Sequence, residues 1–284
     1  MALATPPAFL IGLIGSGIQG SRTPPMHERE GTELGVRYIY RSIDMEKIQV
    51  GVEALPELLT AAERLGFNGL NITHPCKQAV IPLLTELSDD ARALGAVNTV
   101  VLRDGKRIGY NTDWLGFYES FKRSLPDVQR RRVVQLGAGG AGCAVGHAAL
   151  KLGVEQLAIF DIEMPRATQL AAALSQRFGT GRAVVGANLG SSMSEADGLI
   201  HATFTGMKAH PGMALPAEML RPELWVSEIV YLPLETELLK AARSRGCRTS
   251  NGGGMAVFQA VEAFKLFTGL QPDPERMLRH FASM

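Results

Sequence analysis

The stretch VVQLGAGGAGCAVGHAALKLG, residues 133–153, passes from an apolar run through six glycines and alanines into a small-residue segment with helical spacing. Within it Gly137, Gly139 and Gly142 satisfy GxGxxG, with Ala138, Gly140 and Ala141 between them. A glycine-rich turn alone is a weak signal. Here it follows a strand-like run, opens an Ala-rich helix and precedes Asp161, the last residue of LAIFD, by about one βαβ unit, which is the context the fingerprint requires. The glycines serve tight turning, close approach of backbone to a pyrophosphate, and close packing of helix on strand. The helix N-terminus adds amides and a partial positive charge for the phosphates. Asp161 is expected to accept hydrogen bonds from both adenosine ribose hydroxyls and to repel a 2′-phosphate, so NAD is favoured over NADP. Arg166 is the countervailing residue, either a partner for that phosphate or a solvated first-turn side chain. Cys143, close to the same helix terminus, is expected to be a packing residue rather than an acidified thiol.

Outward from this motif the pattern alternates. FLIGLIG (9–15) reads as a buried strand, followed by a polar loop and a helix from about Pro24 to Leu34. VRYIYRSID is a second strand, LPELLTAAERLG a helix with a Gly stop, and FNGLNIT a third strand. Helices are expected around AVIPLLTELS (79–88) and DDARALG, then two strand-like runs about the DG turn of AVNTVVLRDGKRIGYNTD, then a helix near WLGFYESFKRSL. PDVQRRR (126–132) is linker-like. After the glycine motif, LAIFD, AVVG, GLIHAT and LWVSEIVY read as strands and RATQLAAALSQRFG as a helix. Such alternation predicts an α/β protein with mainly parallel sheets.

At 284 residues the prior is about two domains, and 46% apolar residues suffice for packed interiors. Twenty-nine basic against 28 acidic side chains leave a charge of +1, so no broad field attracts nucleic acid or anionic lipid, and a small-molecule partner is expected. Three cysteines without CxxC or zinc spacing argue against disulfides and structural metal and for a cytoplasmic protein. AFLIGLIGSG lacks the flanks of a signal segment, and no apolar run reaches the roughly 18 residues of a membrane span.

One further stretch concentrates polar chemistry. NITHPCK (71–77) follows a strand end, where open parallel sheets bind ligands. Read with SRTPPMHE before it and GAVNTV, GYNTD and NGGGMAVFQAVEAFKLFTG after it, this stretch resembles the shikimate dehydrogenase family, most closely its NAD-linked quinate/shikimate branch. The resemblance spans nearly the whole chain. It implies a substrate-binding catalytic domain from residues 1–113 and 250–284, an inserted Rossmann-type nucleotide domain at 114–249, and an active site in the cleft between them. It also implies reversible hydride transfer from a ring hydroxyl of shikimate or quinate, within the shikimate pathway of aromatic amino acid biosynthesis. Lys77 and Asp113 carry over as the pair facing that hydroxyl, and Ser21 and Thr23 as holders of the substrate carboxylate. Thr73, Asn98 and Gln259 carry over as ring-hydroxyl contacts, Tyr231 as a tyrosine near the carboxylate, and Thr203 and Gly252 as cofactor neighbours. A monomer or homodimer is expected.

The residue types suit that chemistry. Oxidising a secondary alcohol sends a hydride to the nicotinamide and requires a base for the hydroxyl proton. Lysine's ordinary pKa of about 10.4 makes it a poor base, desolvation lowers it, and a neighbouring carboxylate raises it while fixing the ammonium. Lys77 is therefore read as the acid/base and Asp113 as its orienting partner. Asn71 and Thr73 are expected to line the substrate side of an extended loop, with His74 and Cys76 pointing the other way as packing residues. His27 is read as a polar contact of the first helix.

Three positions depart from the family wording: His201 for Asn, Glu228 for Asp, and Asn251 for Asp. Two other readings stay open. One is an aminoshikimate or other cyclitol-acid dehydrogenase with the same acid/base pair; the other is a dinucleotide-binding regulator with little catalysis.

Overall fold

The computed structural model describes residues 6–284, which divide into two compact units, one running up to Thr112 and resuming at Gln259–Met284, the other Asp113–Phe258. The division falls at 112/113 and 258/259, whereas the sequence places it at 113/114 and 249/250.

The first unit begins with β1 (Ala8–Gly15), α1 (Thr23–Glu33), β2 (Arg37–Asp44), α2 (Leu55–Arg64) and β3 (Gly69–Ile72). There follow α3 (Cys76–Ala79), β4 (Glu86–Leu87), α4 (Asp89–Leu94), β5 (Thr99–Arg103) and β6 (Lys106–Tyr110). The sheet order is β2-β1-β3-β5-β6-β4. β1 runs parallel to β2 and β3, while β5 is antiparallel to β3 and β6. The DG turn is a tight hairpin because Asp104 and Gly105 both take positive φ, 53° and 72°. Apolar residues of β1, β3 and α2 form one core, with Leu59, Leu70 and Ile14 fully buried.

One expected helix is absent. Residues 79–88 form a single 3-10 turn at Ile81–Leu83 and then β4, whose Glu86 and Leu87 pair with Ile108 and Gly109 of β6. Pro82 explains the difference, since it has no amide to continue a helical ladder.

The second unit contains α5 (Asp113–Ser124), β7 (Arg132–Leu136), α6 (Gly140–Lys151), β8 (Gln156–Phe160), α7 (Met164–Phe178) and β9 (Ala183–Val185). It continues through α8 (Leu189–Glu195), β10 (Gly198–His201), β11 (Trp225–Glu228), α9 (Glu237–Ser244) and β12 (Arg248–Ser250). Its six strands are all parallel in the order β12-β11-β10-β7-β8-β9. The order reverses beside β7, which makes its C-terminal end the switch point at which such sheets bind ligands. α10 (Gly252–Thr268) leaves this unit and re-enters the first, where α11 (Pro274–Ala282) ends the chain. There Glu30, buried on α1, accepts the Asp273 amide at 2.8 Å and the Arg276 guanidinium at 2.8 and 2.5 Å, pinning α11 to α1. No helix among the described residues is long and apolar enough to cross a membrane.

Candidate active site

The C-terminal ends of β1 and β3 and the start of β5 share one edge of the first sheet, because Ile14 pairs with Ile72 and Asn71 with Thr99. Tyr110 pairs with Thr99, so Asn111 and Thr112 leave β6 at the same edge. The loop after β3 is bound on both sides. The Thr73 amide donates to Ile14 at 2.9 Å, Ser16 donates to the His74 carbonyl at 2.9 Å, and Val97 donates to the Lys77 carbonyl at 2.9 Å. Thr73 and Lys77 are half-buried.

This loop corrects the extended reading. It turns at a cis His74–Pro75 bond and enters α3, so strict alternation of side chains fails. Cys76 is buried as a packing residue, its thiol 3.3 Å from Met45 Sδ, and burial pushes its pKa up. His74 is exposed, where the sequence predicts a packing residue. Asn71 does not line the loop either. It is buried, with Oδ1 accepting from Tyr40 Oη at 2.6 Å and Nδ2 donating to Thr99 Oγ1 at 3.0 Å.

Asn98 is 3% exposed. Its Nδ2 donates to Thr112 Oγ1 at 2.9 Å and its Oδ1 accepts the Thr112 amide at 2.8 Å, so it anchors the residue preceding Asp113. Asp113 itself is buried as the first residue of α5. At the other end of the edge, Ser21 Oγ accepts the Thr23 amide at 3.3 Å where α1 begins. That bond links the two expected carboxylate holders and leaves the serine hydrogen to donate. Gln259 is half-buried on α10, and Tyr231 is half-buried beyond β11.

In the second unit the glycine-rich turn joins β7 to α6. Gly137 has φ of 101°, and a side chain there would collide with the Ala202 carbonyl. A side chain on Gly142 would collide with the Gly137 carbonyl. Gln135, unnoticed in the sequence, holds the turn from inside. Fully buried on β7, it donates from Nε2 to the carbonyls of Gly137 at 2.8 Å and Gly142 at 2.9 Å. A glutamine interrupting an apolar strand just before a glycine motif is the signal that could have found it.

Asp161 follows β8, with Oδ2 accepting the Ala138 amide at 2.7 Å and Oδ1 the Glu163 amide at 2.8 Å. A carboxylate has about four acceptor positions, so each oxygen retains one for a ligand. Arg166 is exposed and lies 3.0 Å from Glu163 Oε1. Cys143 is not acidified, since burial pushes its thiol pKa up. Thr203, half-buried after β10, bonds His201 Nε2 at 2.6 Å. Gly252 opens α10 against the Ile229 carbonyl, and Asn251 Oδ1 accepts the Gly253 amide at 3.0 Å, so the departure from Asp keeps a backbone bond at this helix start. Among the described residues no group of three or more His, Cys, Asp or Glu could hold a metal ion.

Residues 13–100 match the family description "Shikimate dehydrogenase substrate binding domain", and residues 252–280 match "Shikimate 5′-dehydrogenase C-terminal domain". The chain is 57% identical over 282 residues to a shikimate dehydrogenase (NADP(+)) of Streptomyces avermitilis, covering 99% of this chain and 97% of that one. It is 50% identical to a quinate/shikimate dehydrogenase (NAD(+)) of Corynebacterium efficiens, covering 98% and 99%. Among solved structures, the quinate dehydrogenase of Corynebacterium glutamicum in complex with NAD superimposes with a TM-score of 0.92 at 48% identity, covering 98% and 99%. With likeness of this extent and a fold to match, the chain belongs to the shikimate dehydrogenase family.

Proposed function

We propose that this protein is an NAD-dependent dehydrogenase that oxidises a ring hydroxyl of shikimate and quinate to the ketone. The first unit serves as substrate domain and the second as nucleotide domain, in a cytoplasmic enzyme that works as a monomer or homodimer. The observation that carries the cofactor choice is the ribose corner. Asp161 holds a carboxylate at the end of β8, and the nearby arginine, Arg166, already has Glu163 as partner. A 2′-phosphate would meet negative charge there. The relatives divide on this point, the Streptomyces protein being named for NADP(+) and the Corynebacterium protein for NAD(+).

The residues present fit a dinucleotide, because Gly139 and Gly140 face open space where α6 begins and leave the backbone there open to a phosphate. A dinucleotide held by the glycine-rich turn and Asp161 would supply the hydride acceptor. Lys77 accepts the hydroxyl proton, and in the reverse direction donates it, while Asp113 orients its ammonium. The hydroxyls of Ser21 and Thr23 hold the carboxylate, Thr73, Asn98 and Gln259 contact the ring hydroxyls, and Tyr231 stands near the carboxylate. The parent is expected to show a higher kcat/KM with NAD than with NADP. Asp161→Ala should narrow that ratio, since it removes both the ribose hydrogen bonds and the repulsion. Preference for NADP in the parent overturns this assignment and promotes Arg166.

Thr23 is proposed to tune substrate choice. Its β-branch restricts χ1 and places a methyl beside ring carbon 1, where quinate is tetrahedral and shikimate flat. One methyl discriminates by about 1 to 3 kcal/mol, so both acids should be accepted. In Thr23→Ser the kcat/KM ratio is expected to shift toward shikimate. An unchanged ratio, or a shift toward quinate, removes Thr23 as the selecting residue.

A further inference from the structure

His201 and Glu228 are register partners at the ends of β10 and β11, and both are buried. His201 Nδ1 lies 2.9 Å from each Glu228 oxygen. The same carboxylate accepts the Val230 amide at 3.0 Å and the Thr236 hydroxyl at 3.2 Å, so three donors converge on it. A carboxylate only accepts, which puts the ring hydrogen on Nδ1 and, in the neutral imidazole, leaves Nε2 an acceptor. The Thr203 hydroxyl then donates to Nε2 across 2.6 Å, while its oxygen accepts the Thr205 amide at 3.2 Å. One lone pair of Thr203 Oγ1 remains to be used.

Thr203 stands against the glycine-rich turn, since a side chain on Gly137 would come within 3.1 Å of Thr203 Cγ2. β10 lies beside β7 on the side away from β8. A dinucleotide whose adenosine end is at Asp161 and whose pyrophosphate is at the turn therefore runs its other end toward β10. We propose that Glu228 and His201 are positioning residues that fix Thr203 Oγ1 as a hydrogen-bond acceptor for the carboxamide N–H of the nicotinamide half. This rests on the dinucleotide reading above. Two residues that look like separate departures from the family thus form one device, a buried acid and imidazole setting the polarity of a single hydroxyl.

The test compares NAD with ADP-ribose, which has the adenosine, the pyrophosphate and both riboses but no nicotinamide. Calorimetric affinities for both are measured on the full chain for the parent, Glu228→Gln, Thr203→Val and the double variant, beside kcat and KM. Glu228→Gln keeps the shape, but its amide can donate to Nδ1. That moves the ring hydrogen to Nε2 and turns the Thr203 hydroxyl outward as a donor. Each single variant is expected to lose about tenfold in NAD affinity, the scale of one hydrogen bond, with ADP-ribose affinity unchanged. The double variant should be no worse than Thr203→Val alone, because the two act through one contact. Equal losses for both ligands, or additive losses in the double variant, overturn the proposal. Should Glu228→Gln fail to fold, Thr203→Ser keeps the hydroxyl without the methyl: NAD affinity near the parent value beside the loss in Thr203→Val supports the proposal, and a loss equal to that of Thr203→Val overturns it. A parent that binds neither ligand overturns the dinucleotide reading itself and this inference with it.

Discussion

Lys77→Ala is expected to lower kcat by at least about 10², the contribution of one general acid/base group, with a much smaller change in NAD affinity. The reasoning begins with backbone. The loop carrying Lys77 is bonded at Thr73 to β1 and at Lys77 to Val97, the residue before Asn98. Asn98 in turn bonds Thr112, whose successor is Asp113. Both members of the proposed pair are thus borne on segments tied into one sheet edge, which limits the entropy lost when they are brought into reacting geometry. Removing the ammonium removes the only side chain assigned to carry the proton, whereas the glycine-rich turn lies in the other unit and is unaffected. A loss confined to KM, with kcat near the parent value, would show that Lys77 binds substrate without moving a proton.

A second large effect concerns stability below neutral pH. His27 is fully buried on α1, with Nδ1 2.8 Å from Tyr38 Oη and its ring among Tyr40, Phe264 and Phe267. Its Nε2 has no hydrogen-bond partner among the described residues. Burial lowers its pKa from 6.5 to about 3. Between those values the unfolded chain takes up a proton that the folded chain refuses, so stability is full above pH 6.5 and falls as pH drops toward 3. At about 1.4 kcal/mol per unit, roughly 2 to 3 kcal/mol should be lost from pH 6.5 to 4.5. His280, lowered by burial and by Arg29, acts in the same direction. The depressed carboxyl pKa values of Asp44, Glu63 and Asp273 cost stability only as pH falls through the ordinary carboxylate range and below. Denaturant unfolding of the parent and of His27→Gln across this range separates the terms. The variant should be less stable at pH 7 but lose most of the slope between pH 6.5 and 4.5, and an undiminished slope would remove His27 as its source.

What the sequence made legible was what local chemistry dictates. The glycine turn could be read because each glycine answers a local steric demand, and the DG hairpin because two positive φ angles sit side by side. A long apolar run identified β1, and the glycine motif that follows identified β7. The short strand β12 went unread because three residues carry no periodicity, and β4 because its pairing with β6 is fixed by tertiary register. The same limit applies in the candidate site. Gln135, the Asn98–Thr112 link and the His201–Glu228 pair each join positions whose meeting depends on strand alignment. His201 and Glu228 are 27 residues apart in sequence, and only the parallel register of β10 and β11 shows that one departure accompanies the other.

The central claim is hydride transfer from a cyclic hydroxy acid to NAD, and the most direct test is initial-rate formation of reduced nicotinamide by the parent protein. Shikimate and quinate would each be supplied with NAD and with NADP. The account predicts turnover of both acids and a higher kcat/KM with NAD. Binding of NAD with no turnover of either acid would contradict it and leave a nucleotide-binding regulator or a dehydrogenase of another cyclitol acid.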